Sequence, residues 1–440
     1  MSKLQLSLLL LSALLSGCNE PSTTTEVAPK TSNSGPAAGA KPAAVTPADD
    51  EAAVAALTEA GFTLKKNAQN VVTECFMNTT SGVAESLAHL AGIPSVESLA
   101  LSGPGMTDDG MEVLSKLAKL KRLDLSNSVT GDETLKSVGQ IDSLQVLGLR
   151  RTGVTNEGLA AISSLPALRA IDLRNSNISD DGLQHLGKIS SLIDIQLEKA
   201  DVTDAGVAHL SKLPLKQINI NYCTTISDES LKVLGAIQTL EGIQIDYTKV
   251  TDVGMASITK LTKLKRLRIR GNDVTGEGLA HIADLKALER LELRDTSLDD
   301  SGLETICNLP NVNYLDISEC RIVKPEGIKL IGKLTKLKYL GFWETKLNDE
   351  AFNELGNLTS IEELNLKATK ITDAAVPTIL KMVQLKKLDL AGTRLSDDGF
   401  KQLVNLPNLK EVNVANTNIG YDVIDELTAK DGLTVIEFAN

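Results

Sequence analysis

The chain has 440 residues, of which 42% are hydrophobic and 23% charged, and its formal net charge is −12. This acidic balance is spread along the chain, so it favours solubility and argues against a general affinity for nucleic acid. Only twelve residues are aromatic, namely six Phe, five Tyr and Trp343.

Residues 1–17 have the pattern of a secretory signal peptide. Lys3 is followed by an apolar run of about a dozen residues, which is too short to span a bilayer as a mature anchor. The run ends in Leu15-Ser16-Gly17-Cys18, which resembles the lipobox of bacterial lipoproteins. The resemblance implies cleavage before Cys18 and acylation of that cysteine, and several acyl chains anchor a protein firmly. The alternative is an ordinary cleaved signal peptide with a chance cysteine.

Residues 18–49 predict a disordered, lipid-anchored linker. The segment is rich in Ala, Thr, Ser and Pro and lacks apolar periodicity, so it buries too little apolar surface to offset chain entropy. Residues 50–71 are expected to form an N-terminal cap, with an Ala-rich helix at about 50–60 and a short pair of strands. We expect export across the inner membrane and lipid anchoring in the bacterial cell envelope, at the outer membrane or facing the periplasm.

From residue 72 to residue 440 the chain is an array of about 15 repeats and a partial C-terminal one. Apolar residues recur at offsets 0, 3 and 5 of each unit, and most units are 24 residues long. The units start at Val72, Val96, Leu120, Leu144, Leu168, Leu192, Leu215, Leu240, Leu264, Leu288, Val312, Leu337, Ile361, Leu385, Leu409 and Leu433. The alternation predicts a strand, and a later Thr or Ser, usually followed by Asp, predicts a capped helix start. One unit cannot bury its apolar side alone, so the units must stack.

These units resemble leucine-rich repeats. They match LxxLxLxx(N/C/T)xL from Val72 almost to the end of the chain, and the family uses the side chain at offset 8 to bond backbone groups in the turns. The unit length resembles the helix-bearing classes related to ribonuclease inhibitor and to F-box partner proteins. The resemblance implies an α/β fold, a leucine-rich-repeat solenoid or horseshoe, with a parallel sheet on the concave face and helices on the convex face. It says little about the ligand.

Catalysis has little support in the sequence. The histidines recur at one offset, on the solvent side of the predicted helices, and are His89, His185, His209 and His281. The cysteines after the lipobox form no CxxC pair, and we expect buried free thiols at Cys75, Cys223, Cys307 and Cys320. No GxSxG, P-loop or HExxH motif occurs. We therefore predict no enzyme activity, no metal site and no cofactor.

Arginines and aromatic residues are concentrated on the outward side of four adjacent predicted strands, at offsets 2, 4 and 6. We name these residues the arginine–aromatic patch: Arg266, Arg268, Arg270, Arg290, Arg294, Tyr314, Tyr339 and Trp343. The core offsets instead hold Phe342, Phe352, Phe400 and Phe438. Arg and aromatic residues are enriched in binding hot spots. Only Arg268 has an acid alongside, Glu292, so we expect the other four arginines to prefer anionic groups and Trp343 to be a partly exposed anchor.

Two functions fit this pattern. The first is a non-catalytic, membrane-anchored recognition protein that binds a protein, peptide or anionic glycan on the concave sheet face. The alternative is a structural or assembly component of the cell envelope with no discrete ligand pocket. For the patch itself, the alternative is a solvated face whose charges and rings only satisfy one another.

Overall fold

The computed structural model describes residues 48–438. The predicted signal peptide, the predicted lipid site Cys18 and all but the last two residues of the predicted linker lie outside this range. Within it, no helix combines the length and the apolar character needed to cross a membrane. The described residues divide into two compact units, 48–152 and 153–438.

The N-terminal unit begins with a helix and an antiparallel strand pair. The carboxylate of Asp50 accepts a hydrogen bond from the backbone N–H of Ala52 (3.0 Å), which caps the first helix. The helical segments are α1 (Glu51–Glu59), α2 (Ala84–Leu87), the 3-10 helices Ala88–Gly92 and Met111–Lys116, and α3 (Asp132–Val138). The strands are β1 (Thr63–Lys66), β2 (Val72–Asn78), β3 (Ser98–Ser102), β4 (Arg122–Asp124) and β5 (Val146–Gly148). β1 is antiparallel to β2, and β2 to β5 are parallel neighbours.

The C-terminal unit repeats strand, turn and helix along its whole described length. Its parallel strands are β6 (Ala170–Asp172), β7 (Asp194–Gln196), β8 (Gln217–Asn219), β9 (Gly242–Gln244), β10 (Arg266–Arg268), β11 (Arg290–Glu292), β12 (Tyr314–Asp316), β13 (Tyr339–Gly341), β14 (Glu363–Asn365), β15 (Lys387–Asp389), β16 (Glu411–Asn413) and β17 (Thr434–Ile436). Each pairs in register with the next.

Short helices connect these strands. The α-helices are α4 (Asn156–Ile162), α5 (Asp180–Leu186), α6 (Asp204–Ala208), α7 (Asp228–Gly235), α8 (Asp252–Met255), α9 (Gly276–Ala280), α10 (Asp300–Cys307), α11 (Pro325–Lys329), α12 (Asp349–Asn353), α13 (Val376–Ile379), α14 (Asp397–Lys401) and α15 (Tyr421–Thr428). The 3-10 helices are Ala256–Ile258, Leu330–Lys333, Asp373–Ala375 and Gln402–Asn405. Strand–helix repetition around a parallel sheet confirms the predicted α/β leucine-rich-repeat solenoid.

The core lies between the sheet and the helices. In the unit that starts at Leu264, the residues at offsets 0, 3 and 5 (Leu264, Leu267 and Ile269) are at most 1% exposed. Stacking of the units therefore removes this apolar stripe from water, as the periodicity predicts. Phe438 was predicted to lie in the core and is instead 80% exposed. It follows β17, the last strand of the described residues, where no later strand in that range covers it.

The side chain at offset 8 bonds the turn of its own coil or the coil before, as the resemblance implies. The hydroxyl of Thr345 donates to the carbonyl of Phe342 (2.8 Å), and the amide of Asn272 donates to the carbonyls of Ile245 (2.7 Å) and Ile269 (3.0 Å). The expected buried free thiols are confirmed at Cys75, Cys223, Cys307 and Cys320. Burial raises the pKa of the Cys320 thiol to about 11, so that this thiol stays protonated at neutral pH.

The residue just before offset 8 has a left-handed backbone in one coil after another. In the C-terminal unit φ lies between 52° and 66° at Asn175, Lys199, Tyr222, Tyr247, Gly271, Asp295, Glu319, Glu344, Ala368, Gly392 and Asn416. A residue with a Cβ atom adopts this conformation at a cost of about 1–2 kcal/mol. The conformation turns the chain out of the strand and leaves the side chain at the strand end, next to the sheet face.

Carboxylates link the start of one helix to the start of the next. Asp228 accepts one hydrogen bond from the backbone N–H of Thr251 and another from its hydroxyl, both at 2.8 Å. The same link joins Asp180 to Thr203, Asp204 to Ser227, Asp252 to Thr275, Asp349 to Thr372, and Asp373 to Ser396. The sequence predicted only a capping role for these aspartates. The structure adds a bond between coils.

Three coils of the C-terminal unit lack the linking carboxylate, because Asn156, Gly276 and Pro325 stand where the others have Asp. The amide oxygen of Asn156 still makes the link, since it accepts from the backbone N–H of Ser179 (3.0 Å). After Gly276 and Pro325 the next helix caps itself. Asp299 accepts from the backbone N–H groups of two residues of its own helix (3.0 Å each), and Asn348 accepts from one (3.0 Å). These two helix starts rely on their own cap residues, whereas starts such as Thr251 combine a cap of their own with the bond to the preceding coil.

Candidate binding face

The arginine–aromatic patch forms three rows across β10 to β13. The first row, in register from strand to strand, is Arg266, Arg290, Tyr314 and Tyr339. The second row is Arg268, Glu292, Asp316 and Gly341. The third row, just beyond the strand ends, is Arg270, Arg294, Ser318 and Trp343. Parallel pairing without a register shift brings the predicted residues together on one face.

The first row contains a stack of planar groups. The rings of Tyr314 and Tyr339 are 4.0 Å apart between centroids and only 5° from parallel. The guanidinium of Arg290 lies 3.5 Å from the centroid of the Tyr314 ring, and its Nε donates to Glu292 (2.7 Å). Burial raises the pKa of both tyrosines, so their hydroxyls stay protonated at physiological pH. We name this arrangement of Arg290, Tyr314 and Tyr339 the tyrosine stack.

Trp343 lies half-buried in the third row and faces away from the core. The guanidinium of Arg294 is 4.2 Å from the centroid of the indole, and the ammonium of Lys367 is 5.0 Å from it. Glu319 holds Arg294 in place through two hydrogen bonds of 2.9 and 3.2 Å. The indole therefore has two cations over its ring, one from two coils before its own and one from the next coil, and they cover part of its surface.

The expectation that four of the five arginines have no acid alongside is wrong. Besides the pairs of Arg290 and Arg294 just described, Arg270 Nε lies 3.9 Å from a carboxylate oxygen of Asp246. Within residues 48–438, Arg266 is the one patch arginine that has no ion pair, and it is exposed. The alternative interpretation, in which charges on this face satisfy one another, therefore explains more of the patch than the sequence indicated.

Asp246 is the main residue that the sequence interpretation missed. Its side chain is fully buried and accepts hydrogen bonds from Arg268 Nε (2.6 Å) and from the backbone N–H of Arg270 (3.0 Å). Burial raises its pKa, and the two arginines oppose that shift. Asp246 occupies offset 6 of the coil before β10, so the same offset count extended by one strand would have found it. Glu319 lies at the left-handed position, which that count did not include.

With these acids included, the patch is almost neutral. Its five arginines stand against four carboxylates, those of Asp246, Glu292, Asp316 and Glu319, which leaves one positive charge. The face is therefore defined more by oriented rings and guanidinium groups than by net charge, and the predicted preference for anionic groups rests mainly on Arg266.

A second aromatic pair extends the patch along the strand ends. The rings of Tyr222 and Tyr247 stack with centroids 4.9 Å apart, and the ammonium of Lys199 lies 5.4 Å from the Tyr222 ring. The next coil has Gly271 at the equivalent position, where a Cβ atom would come within 2.3 Å of the Tyr247 ring. Tyr247 therefore packs directly against the backbone of the coil that carries Arg270.

In the described part of the chain, no cluster of three or more His, Cys, Asp or Glu side chains could hold a metal ion. Three of the histidines, His89, His209 and His281, are exposed, and His185 is partly buried.

Two family models match parts of the chain. One describes a leucine-rich repeat region and matches residues 301–439, and the other describes a leucine-rich repeat and matches residues 260–283. Together they include every residue of the patch except Arg290 and Arg294. No curated protein shows significant sequence similarity to the chain.

Solved structures with leucine-rich repeats resemble the chain. The leucine-rich-repeat protein LIC12759 of Leptospira interrogans is 20% identical, with a TM-score of 0.53 over 79% of this chain and 91% of that one. A TDR receptor is 16% identical, with a TM-score of 0.51 over 82% and 71%. An internalin of Listeria monocytogenes is 18% identical over 90% and 99%, with a TM-score of 0.46. At these identities the first two likenesses show the fold alone, and solenoids of this kind generally use their extended sheet face for protein binding.

Proposed function

We propose that the chain is a non-catalytic recognition protein that binds a protein or peptide segment on the sheet face of β10 to β13 and is anchored to a membrane through lipid on Cys18. The observation that carries the proposal is the pre-assembly of the rings and cations of the patch. Tyr314 and Tyr339 are stacked, and Trp343 is held beneath Arg294. Side chains that are already ordered lose little conformational entropy on binding, so more of the contact energy becomes affinity.

The patch still has hydrogen-bonding capacity for a ligand. Each guanidinium has five N–H donors, and the ion pairs of Arg268 and Arg290 are made through Nε. Their terminal N–H groups, together with those of the exposed Arg266, are suited to bidentate bonds with a carboxylate. An anionic glycan would offer the same chemistry and is the second ligand class.

The competing function is a structural or assembly component of the envelope with no discrete ligand pocket. Such a component would need a long rigid surface, which the linked coils supply, but it would not need ordered rings on one part of the sheet. Trp343 is the only tryptophan in the chain, and its place in the patch therefore favours recognition.

The test begins with crosslinking in intact cells to identify the partner of the full-length protein. Binding is then measured for Trp343→Ala, Arg266→Ala and the double variant. We expect Trp343→Ala to weaken binding at least tenfold, which corresponds to about 1.4 kcal/mol. The contribution of Arg266 should shrink as salt is added, while that of Trp343 should persist.

The matched control is Arg321→Ala, because Arg321 is an exposed arginine that pairs with Glu344 outside the three rows of the patch. This variant should bind like the wild type. A crosslinked partner that binds the Trp343→Ala/Arg266→Ala protein unchanged would favour the structural alternative.

A further inference from the structure

A pocket of about 260 Å³ opens on the same sheet face beside the patch. Its lining residues come from β13 to β17 and include Tyr339, Glu363, Asn365, Lys387, Asp389 and Glu411. Apart from Tyr339, all the lining residues lie on β14 to β17. The sequence interpretation did not single out this part of the sheet.

Tyr339 forms one wall of the pocket. One face of its ring is covered by Tyr314, which belongs to the preceding strand. The other lining residues belong to the strands on the opposite side. The pocket therefore borders the ring face that Tyr314 leaves free, and the tyrosine stack, which begins with Arg290, ends at the pocket.

The lining of the pocket is acidic. Glu363, Asp389 and Glu411 supply three carboxylates, and Lys387 supplies one ammonium group, so the net charge is −2. Lys387 lies 3.8 Å from Glu363, which leaves Asp389 and Glu411 as the acids without a cation in an ion pair within residues 48–438. Asp389 is partly buried, and it accepts hydrogen bonds from the backbone N–H of Ala391 (3.0 Å) and from the side chain of Asn413.

We propose that this pocket binds the guanidinium group of an arginine side chain of the partner, stacked on the free face of Tyr339 and paired with Asp389, while Glu411 on the far side of the pocket adds its negative charge at longer range. The arrangement has an internal precedent at the other end of the stack. There Arg290 lies 3.5 Å from the Tyr314 ring while it donates to Glu292. A bound arginine would repeat this combination of ring stacking and ion pairing.

A guanidinium fits this pocket better than the other groups of similar size. It is planar and weakly hydrated, so it stacks on a ring and donates to carboxylates at the same time. A lysine ammonium is compact and strongly hydrated, and it cannot stack. A neutral aromatic ring would stack but would cover Asp389 and Glu411 without compensating their charge. The volume is sufficient, because a cavity of about 150 Å³ already accommodates benzene.

This inference deepens the proposed function and rests on it in one respect, which is that the arginine belongs to the ligand that contacts Trp343. Binding to the pocket itself can be tested without the partner. The probe is N-acetyl-arginine methylamide, added to the full chain with isotope-labelled tyrosine rings. The Tyr339 signal is assigned with Tyr339→Phe, and its chemical shift is followed by NMR.

We expect a saturable shift of the Tyr339 signal with the arginine probe. The citrulline and lysine analogues should bind at least fivefold more weakly, because the first lacks the charge and the second lacks the planar group. Asp389→Asn and Glu411→Gln should each weaken the arginine probe at least threefold. Glu426→Gln is the matched control, since Glu426 is an exposed acid on α15, and it should leave binding unchanged.

Equal binding of the citrulline or lysine analogue would overturn the inference, as would insensitivity to both acid variants or the lack of a saturable Tyr339 shift. A partner that needs Trp343 but binds Asp389→Asn like the wild type would also overturn it, and would leave the proposed function intact. If the partner binds patch variants like the wild type while the pocket still binds the arginine probe, the proposed function is wrong and the guanidinium site stands.

Discussion

The guanidinium of Arg294 covers the indole of Trp343 at 4.2 Å from the ring centroid, and Glu319 fixes that guanidinium from the other side. Part of the cover of this tryptophan is therefore supplied by a side chain that a single substitution removes. The relationship gives a test of the patch geometry that needs no ligand.

Arg294→Ala should uncover one side of the indole. We expect red-shifted emission and stronger quenching by acrylamide, with little loss of thermal stability, because Arg294 is partly exposed and surface ion pairs contribute at most about 1 kcal/mol. Since Trp343 is the only tryptophan, the fluorescence reports on this site alone. Arg321→Ala should leave both readouts unchanged. Unaltered quenching in Arg294→Ala would show that the cation does not cover the ring in solution.

Asp194 should make the protein less stable as the pH rises. Burial raises its pKa to about 6, whereas an aspartate in an unfolded chain titrates near pH 3.9. The folded state binds the proton more tightly, so the free energy of unfolding falls as the pH rises from about 4 to about 6. Asp194→Asn should therefore stabilise the protein by up to about 3 kcal/mol at neutral pH and by little below about pH 4.

Urea unfolding at both pH values measures this difference. The control is Asp284→Asn, because the Asp284 side chain is 96% exposed. A variant of Asp194 whose advantage over the wild type is the same at the two pH values would contradict the predicted shift.

Gly271→Ala and Gly392→Ala should differ in cost although their backbones are alike. φ is 66° at Gly271 and 65° at Gly392. At Gly392 the nearest atom to a new Cβ would be 3.7 Å away, whereas at Gly271 the Tyr247 ring would be 2.3 Å away. Gly392→Ala should cost about 1 kcal/mol for the left-handed conformation alone. Gly271→Ala should cost about 1–3 kcal/mol more because Tyr247 must move. Chemical denaturation measures the free energy of unfolding of both variants. Equal losses of stability would argue against the packing of Tyr247 on Gly271.

Asp228→Ala should loosen the coil that follows it. Thr251 would lose the two hydrogen bonds that it donates to this carboxylate, and bonds to a charged group are worth about 1.5–3 kcal/mol each at most. We expect a loss of about 2 kcal/mol and faster amide hydrogen exchange at the start of α8. Asp181→Ala, which removes an exposed acid, should have neither effect. Faster exchange confined to α7, or none at all, would refute the link between coils.

Cys18→Ser should release the protein from membranes if the lipobox resemblance is correct. The wild-type chain should partition into detergent and carry acyl chains on Cys18, because several such chains give stable anchoring. The variant should be found in the aqueous fraction. Mass spectrometry that finds an unmodified Cys18 at the N-terminus of the processed protein would rule out the anchor.

The repeat period made the fold predictable, because the same three apolar positions recur in every coil and leave one way to bury them. The places of Trp343 and of the two stacked tyrosines on the sheet face followed from the same period. The ion pairs of the patch could not be predicted from the period. Asp246 reaches Arg268 from the coil before, and whether a long side chain turns toward it is decided by side-chain packing rather than by offset.

The hydrogen bonds that link neighbouring coils also could not be predicted from the sequence. Thr-Asp at a helix start predicts a cap by local rules, and those rules are satisfied at Thr251, whose hydroxyl accepts from the backbone of Val253 (3.3 Å). The second role of Asp228 depends on the exact distance between neighbouring helices, which the glycine at position 254 permits. A Cβ atom there would lie 2.4 Å from the Asp228 carboxylate.

The two self-capped helices mark where the array can change its length. At most boundaries a coil depends on a carboxylate from its predecessor, so a duplication or deletion there must preserve a matched pair. The helices capped by Asp299 and Asn348 use no carboxylate of the coil before them, although the Asp299 helix needs a glycine there, because a Cβ atom on Gly276 would lie 2.3 Å from the Asp299 carboxylate. A gene that gains or loses a coil ahead of the Asn348 helix, or a coil with glycine at this position ahead of the Asp299 helix, would keep the capping intact and would lengthen or shorten the sheet face by about 4.8 Å. Both boundaries fall within or beside the patch, so the simplest insertions in this chain would also alter the proposed binding face.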